Sequence, residues 1–502
     1  MVKKLWQQHS FILLILILAL GLRLPHLNGS FWLDEAAQAL ESARPWSQQL
    51  DIANDFQPPL IHLLLFFTMK ISTTEWWLRT IGALIPGLIT IWASYEIGKK
   101  LQNKNVGIIA ALLLATSSFH IFYSQELRPY SLPAMFAVLS WLYLIKATRK
   151  IKFSKSNWFG YALTSLLGLY SSYLYPFLWL SQLLWMMCCH KRWWREVAAS
   201  SSMVILGFLP WLPKFLEQLQ VGENVRQQLP GWGNVVSISQ LKSPSLVMGK
   251  FIFGMINIEL NQFFIGITAV IFFGSLYLVY LDRKSFKKPR FAQTIQLLLI
   301  YLVIPMTSAW LVSFFVPVIQ PKRVLYLLPA LYLLMSSLAY MSTKTKRKHF
   351  GTIIVSLLLA LNLSGTLQYH LNVRYQRENW RSLYQEIAKN YPVSETVLLF
   401  SYPAPFSPWV WYDQENYPVV TTGKLYIKNV MALSSITKSV NDYRYVLLFD
   451  YLRDLTDPDD QLRTELWSLG FHEINTLDYP NIGFVRVFSR NKPTAKLSTF
   501  NL

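Results

Sequence analysis

Residues 11–27 read FILLILILALGLRLPHL, and residues 30–37 read SFWLDEAA. The first stretch completes an apolar run, 9–27, long enough to span a bilayer. The second puts two adjacent carboxylates, Asp34 and Glu35, where the chain leaves the hydrocarbon. Two readings are open: a solvated acidic loop, or a reaction centre. Phe31, Trp32 and Leu33 hold the pair near the membrane interface, where ionised groups are costly without partners. A partly desolvated carboxylate is also the stronger base, which suits activation of a hydroxyl.

The same apolar pattern recurs along the 502 residues, of which 53% are hydrophobic and only 15% charged. The predicted fold class is an α-helical polytopic membrane protein of about eleven spans. They lie at roughly 9–27, 78–98, 106–123, 130–147, 157–172, 174–190, 197–214, 262–281, 295–316, 323–341 and 350–368. The run 59–71, PLIHLLLFFTMKI, is too short to span and reads as an interfacial helix. MVKKLW followed by an apolar run resembles a signal peptide but lacks a small-residue cleavage site, so it reads as an uncleaved first span.

The net charge of +20 is unevenly placed. Residues 368–502 hold 14 basic and 14 acidic side chains, whereas residues 1–367 hold 33 and 13. An N-terminus on the cytoplasmic side puts 22 of those 33 basic residues into short cytoplasmic segments. The excess is therefore a topology signal, and no nucleic acid partner is implied. It places SFWLDEAA and the C-terminal segment outside the cytoplasm. The expected domains are a transmembrane catalytic domain, 1–368, and an extracytoplasmic α/β domain, 369–502. In the latter, RENWRSLYQEIAKNYP (377–392) has helical spacing, ETVLLFS (395–401), RYVLLFD (444–450) and IGFVRVFS (482–489) suit strands, and DPDDQLRTELWSLG (457–470) carries helix start and stop signals. Cys188 and Cys189 are sequence neighbours, so no structural disulfide is expected.

Further polar groups fall on the outer side. SFHIFYSQELRPYSLP (118–133) carries Glu126 and Arg128 among aromatics; a local ion pair and a cavity lining are both open. The planar fork of Arg suits phosphate. ANDFQPPLIHLLL (53–65) carries Gln57 and His62, the latter favouring an ordinary interfacial histidine. VIQPKRVLYLLPALY (318–332) carries Lys322 and Arg323, either snorkelling anchors or an anion site. Arg23, inside the first span, needs a counter-ion. Such a set suits an enzyme that holds a lipid-linked phosphate and activates an acceptor. A transporter or flippase of lipid-linked saccharides is the alternative, although no inverted repeat is visible. A receptor would not need so many spans.

FWLDEA (31–36), QPPLIHLLL (57–65), EWWLRTIGALIPGLITIW (75–92) and FHIFYSQELRPYSL (119–132) together resemble the bacterial protein mannosyltransferase-like glycosyltransferases, membrane enzymes of the GT-C fold related to the aminoarabinose transferase of lipid A. PKRVLYLLPALYLLM (321–335) and ENWRSLYQEI (378–387) extend the match more loosely. The resemblance implies a polyprenyl-phosphate sugar donor, a lipid, glycan or protein acceptor on the extracytoplasmic face, inversion at the anomeric carbon and, by resemblance only, a bacterial plasma membrane. It makes Asp34 the acceptor-activating carboxylate, with Glu35 its neighbour in the motif, and Arg128 a candidate for the donor phosphate. Relatives often carry His or Lys before the Pro-Pro pair. Here Gln57 stands there, which moves phosphate binding toward Arg128, Lys322 and Arg323. No residue is assigned as a metal ligand and no cofactor is fixed. A divalent cation stays open, with Asp34, Glu35 and Glu126 as the acids able to hold one.

Overall fold

A computed structural model describes residues 2–490 apart from 53–54, 150–151, 229–238, 257–265, 267–269, 272–273, 275–276, 278–288, 317, 343–348, 424–425, 428–435 and 437–438. The chain forms two units. One comprises Met1–Asn28, Glu41–Val221 and Asn234–Tyr375; the other comprises Gly29–Leu40, Gly222–Gly233 and Gln376–Leu502.

The first unit is helical. Among the described residues six helices are long and apolar enough to cross a membrane: Glu75–Leu101, Ser131–Arg149, Lys191–Asn224, Phe291–Val312, Lys322–Ser342 and His349–Leu371. Shorter apolar helices cover Ser10–Gly21, Leu60–Met69 and Lys104–Thr116. Helices Lys155–Leu169 and Tyr175–Cys189 occupy the expected spans 157–172 and 174–190, at 15 residues each. The expected span 262–281 lies mostly outside the described residues.

Two expected spans differ in form. The run 106–123 is not one helix. Helix Lys104–Thr116 stops, Ser117 turns out of helical geometry at ψ 115°, and a short helix Ser118–Tyr123 follows. The Ser117 Oγ accepts the His120 N–H at 3.4 Å, the local bond by which serine competes with a continuing helix. The first helix ends at Gly21, so Arg23 stands in the turns beyond it, before Pro25.

Close helix packing sets the interior. Helix Glu75–Leu101 returns into helix Lys104–Thr116 through Asn103, whose side chain caps the Asn105 and Val106 N–H groups at 3.0 and 3.2 Å. Gly98 faces Gly107 there. A Cβ on Gly107 would lie 2.4 Å from the Tyr95 carbonyl, so only glycine lets these backbones meet. Helix Lys322–Ser342 is almost wholly buried, whereas Lys191–Asn224 presents most of its apolar surface outward.

The second unit carries a five-stranded sheet. The strands are β1 (Thr396–Phe400), β2 (Val419–Thr421), β3 (Tyr445–Phe449), β4 (His472–Tyr479) and β5 (Gly483–Ser489), in the order β2-β1-β3-β5-β4. β1 pairs parallel with β2 and β3; β5 pairs antiparallel with β3 and β4. β1 and the end of β3 are buried on both faces, which explains their continuous apolar runs. Leu398, Phe400, Leu447 and Phe449 meet Trp380, Leu383 and Ile387 of helix Trp380–Asn390. Val397, Leu399, Val446 and Leu448 meet Leu462 and Leu466 of helix Gln461–Ser468 on the other face. That second helix is capped by Asp457, whose carboxylate accepts the Gln461 and Leu462 N–H groups at 2.9 and 3.0 Å.

Candidate functional site

The loop before helix Leu60–Met69 gathers the chemistry of the first unit. His62 is fully buried on that helix, and its Nε2 lies 2.9 Å from Asp55 Oδ2 and 3.1 Å from Gln57 Nε2. Gln57 also donates to Asp55 Oδ2. Arg128 places one guanidinium nitrogen 3.5 Å from Asp55 Oδ1. Glu41, at the end of helix Leu33–Ala43, has its Oε2 3.9 Å from His62 Nε2. Gln218 fixes the loop backbone: its Nε2 donates to the carbonyls of Ile52, Asp55 and Gln57 at 2.7, 3.0 and 3.1 Å.

Burial and the neighbouring Asp55 charge push the Glu41 carboxyl up to about 8, against the pull of Arg44 and Arg128. Burial acts to raise Asp55 as well, but the Arg128 charge and the His62 hydrogen bond prevail and hold it below its ordinary value. Near neutrality the two carboxyls therefore share one proton, which Glu41 keeps. Glu41, Asp55 and His62 each offer a ligand atom within 4.8 Å of the others. Two carboxylates and an imidazole form a donor set suited to zinc or manganese. Glu41 Oε2 faces the imidazole, 3.9 Å from His62 Nε2, and release of the proton shared with Asp55 would free it as a ligand. The residues therefore fit a divalent cation. They differ from Asp34, Glu35 and Glu126, the trio named from the sequence, and this is the group that gathers among the described residues.

Glu126 is buried in the loop that carries Arg128, and its carbonyl accepts the Arg128 N–H at 2.8 Å. Lys322 sets its ammonium 5.6 Å from the centre of the Tyr130 ring, and Tyr130 N–H binds the Arg128 carbonyl at 2.7 Å. The Lys322 segment is thus packed against the Arg128 loop. Arg323 donates to the Val318 carbonyl at 3.3 Å. Arg23 is fully buried, and its partners are the carbonyls of Ala19, Leu114 and Ala115 at 2.9, 3.2 and 3.0 Å and His120 Nδ1 at 2.8 Å. The helix break at Ser117 leaves the Leu114 and Ala115 carbonyls unpaired, and Arg23 satisfies them. Its charge is met by carbonyl dipoles, with no carboxylate among its described partners.

Asp34 and Glu35 belong to the second unit, in the first turn of helix Leu33–Ala43. Asp34 is half-buried and Glu35 wholly buried. Glu35 Oε2 lies 3.6 Å from Arg377 Nε. The Leu33 N–H, at the helix start, donates to Glu378 Oε2 at 3.2 Å. Asp55, Glu41, Gln218, Arg377 and Glu378 were not singled out from sequence. Asp55 lies within the quoted ANDFQPPLIH and Glu378 within ENWRSLYQEI, and the seven-residue repeat of acids at 34 and 41 on one helix was the available signal for Glu41.

The family profile described as dolichyl-phosphate-mannose-protein mannosyltransferase matches residues 56–215. No curated protein matches the chain. Among solved structures, ArnT from Cupriavidus metallidurans bound to undecaprenyl phosphate is similar with a TM-score of 0.60 at 11% identity, over 96% of this chain and 98% of that one. The oligosaccharyltransferase AglB from Archaeoglobus fulgidus, in complex with an inhibitory peptide and a dolichol-phosphate, gives 0.54 at 13% identity, over 99% of this chain and 75% of that one. The Archaeoglobus fulgidus oligosaccharyltransferase in complex with Zn and sulfate gives 0.53 at 14% identity, over 95% and 72%. At such identities the likeness establishes the fold. The chain is thus a multi-pass helical membrane protein that shares the fold of ArnT and AglB over nearly its whole length, and its residues 56–215 match the mannosyltransferase profile.

Proposed function

We propose that the chain is a glycosyltransferase that moves a sugar from a polyprenyl-phosphate donor to an acceptor hydroxyl on the extracytoplasmic face of a plasma membrane. The observation that carries this reading is the cluster of Arg128, Asp55, His62 and Gln57, an oriented set of polar and charged groups. Of these, Gln57, His62 and Arg128 lie within the region that matches the mannosyltransferase profile, and Asp55 immediately precedes it. ArnT and AglB, which share the fold, are described with undecaprenyl phosphate and dolichol-phosphate.

The reaction would be an in-line displacement with inversion. Asp34 takes the proton of the acceptor hydroxyl. The acceptor oxygen bonds to the anomeric carbon, and the bond from that carbon to the phosphate oxygen breaks. Polyprenyl phosphate leaves with both electrons. Arg128, Lys322 and Arg323 offset the charge that develops on the leaving phosphate, and Gln57 donates one hydrogen bond without charge. Glu35 is held by Arg377 beside Asp34 in the chain. Glu41, Asp55 and His62 are the residues that would hold a divalent cation, which supplies further positive charge when bound. The N-terminus is cytoplasmic in this reading, and residues 369–502 form the extracytoplasmic domain.

The test uses full-length protein in nanodiscs, with radiolabelled undecaprenyl-phosphate mannose and undecaprenyl-phosphate arabinose as donor probes. The wild type consumes a donor, and Asp34→Asn and Arg128→Ala each lose most of that turnover. Full turnover in both variants overturns the site assignment. Movement of the intact donor across vesicles without sugar transfer replaces the enzyme with a transporter.

A further inference from the structure

The segment that carries Asp34 is held by side chains far along the chain but within the same unit. The Phe31 N–H donates to Tyr412 Oη at 2.8 Å, and the Arg381 N–H donates to Ser30 Oγ at 3.1 Å. The central tie is Glu378. Its Oε2 accepts the Leu33 N–H at 3.2 Å and Trp380 Nε1–H at 2.6 Å, and its Oε1 accepts the Tyr451 hydroxyl at 2.8 Å. Those partners are themselves fixed. Trp380 is buried and stacks on Phe449 at 6.1 Å, and Tyr451 sets its ring edge-on to Trp380 at 5.2 Å. The Leu33 N–H belongs to the first turn of helix Leu33–Ala43, whose donors have no partner inside the helix. A carboxylate 345 residues away thus does the work of a helix cap.

We propose that Glu378 is a positioning residue that caps the Leu33–Ala43 helix and, when ionised, fixes the orientation of Asp34. This rests on Asp34 being the acceptor-activating base. The groups that face Glu378 are the Asp34 carboxylate and the Tyr451 hydroxyl; the neighbouring Arg377 guanidinium is engaged with Glu35. Burial pushes the Glu378 carboxyl up to about 7; hydrogen bonds from Trp380, Tyr451 and Leu33 oppose this, and the Asp34 charge adds to it. Glu378 therefore changes charge in the pH range where the enzyme would work. Its anionic form strengthens the hydrogen bond to Leu33 and so holds the first turn that carries Asp34 more firmly.

The experiment measures kcat and KM against pH for the full-length protein in nanodiscs, using undecaprenyl-phosphate mannose and undecaprenyl-phosphate arabinose as probes. The wild type shows an ascending limb of kcat near pH 7. In Glu378→Gln, kcat is lower by about fivefold to tenfold, the donor KM stays within about twofold, and that limb is absent. Tyr451→Phe removes a bond that stabilises the anion, so the limb moves to higher pH. A wild-type kcat and pH profile in Glu378→Gln overturns the proposal, as does a change confined to KM. Asp34→Asn separates the two failures. Full activity in that variant sinks the base assignment itself, whereas an inactive Asp34→Asn beside a wild-type-like Glu378→Gln removes only the positioning role.

Discussion

His62 Nε2 stands 2.9 Å from Asp55 Oδ2, so an imidazole with no solvent exposure is committed to a carboxylate seven residues earlier in the chain. Helix Leu60–Met69 supplies the histidine and the loop before it supplies the acid, with Pro58 and Pro59 between them. Proline fixes φ at each of those positions, so the turn is stiff and the pair is oriented before any ligand arrives. With Glu41 the two form the donor set proposed above for a divalent cation, and zinc is the probe that tests it directly. Wild-type protein is expected to bind one Zn²⁺ per chain by calorimetry, with Glu41→Gln and His62→Ala each weakening binding by at least about tenfold. Unchanged zinc affinity in both variants would remove the site.

Arg128 sits 3.5 Å from Asp55 while its loop packs against Lys322 through Tyr130. A planar guanidinium and a flexible ammonium are not equivalent on phosphate. Arg128→Ala should reduce kcat/KM by about a hundredfold, and Arg128→Lys should recover only part of it. Steady-state donor turnover measures both. Equal activity of the lysine variant and the wild type would show that charge alone is used.

Gln218 is buried on helix Lys191–Asn224, and its amide holds three carbonyls of the Asp55 loop. Its Oε1 accepts the Tyr173 hydroxyl, which in turn accepts Trp211 Nε1–H at 2.9 Å. Gln218→Ala strands those carbonyls, at a cost of about 1–3 kcal/mol. Amide exchange at residues 55–57 should speed up and donor turnover should fall, while the melting temperature moves by only a few degrees. Unaltered exchange would mean that the loop is held by other contacts.

Glu378 also makes stability depend on pH. Its folded pKa, raised to about 7, lies above the ordinary 4.5, so the folded state binds its proton more tightly than the unfolded state does. The stabilisation is complete below about pH 4.5 and is lost as pH rises to about 7. Glu378→Gln mimics the protonated form. Its melting temperature should match the wild type at pH 5 and exceed it at pH 8. A parallel pH dependence in the two proteins would contradict the shift. Set beside the kinetic expectation, both outcomes together would make Glu378 a position where activity is gained against stability.

Hydropathy, loop charge and motif order are properties of consecutive residues, and they sufficed for the helical membrane architecture, the strands Thr396–Phe400, Tyr445–Phe449 and Gly483–Ser489, and the choice of Asp34, Arg128, Gln57 and His62 as residues to watch. Hydropathy did not reveal the break at Ser117, because a local serine hydrogen bond interrupts the helix without changing the apolar composition. Pairings at long range depend on packing, which periodicity does not encode. Arg23 looked like a charge in search of an acid, yet its charge is satisfied by carbonyls that a helix break 91 residues later leaves open. His62 read as an ordinary interfacial histidine, and Asp55 and Glu41 as nothing in particular, until the loop and helix brought three ligand atoms within 4.8 Å. The hold of Glu378 on Leu33 spans 345 residues, and only the folded chain joins them.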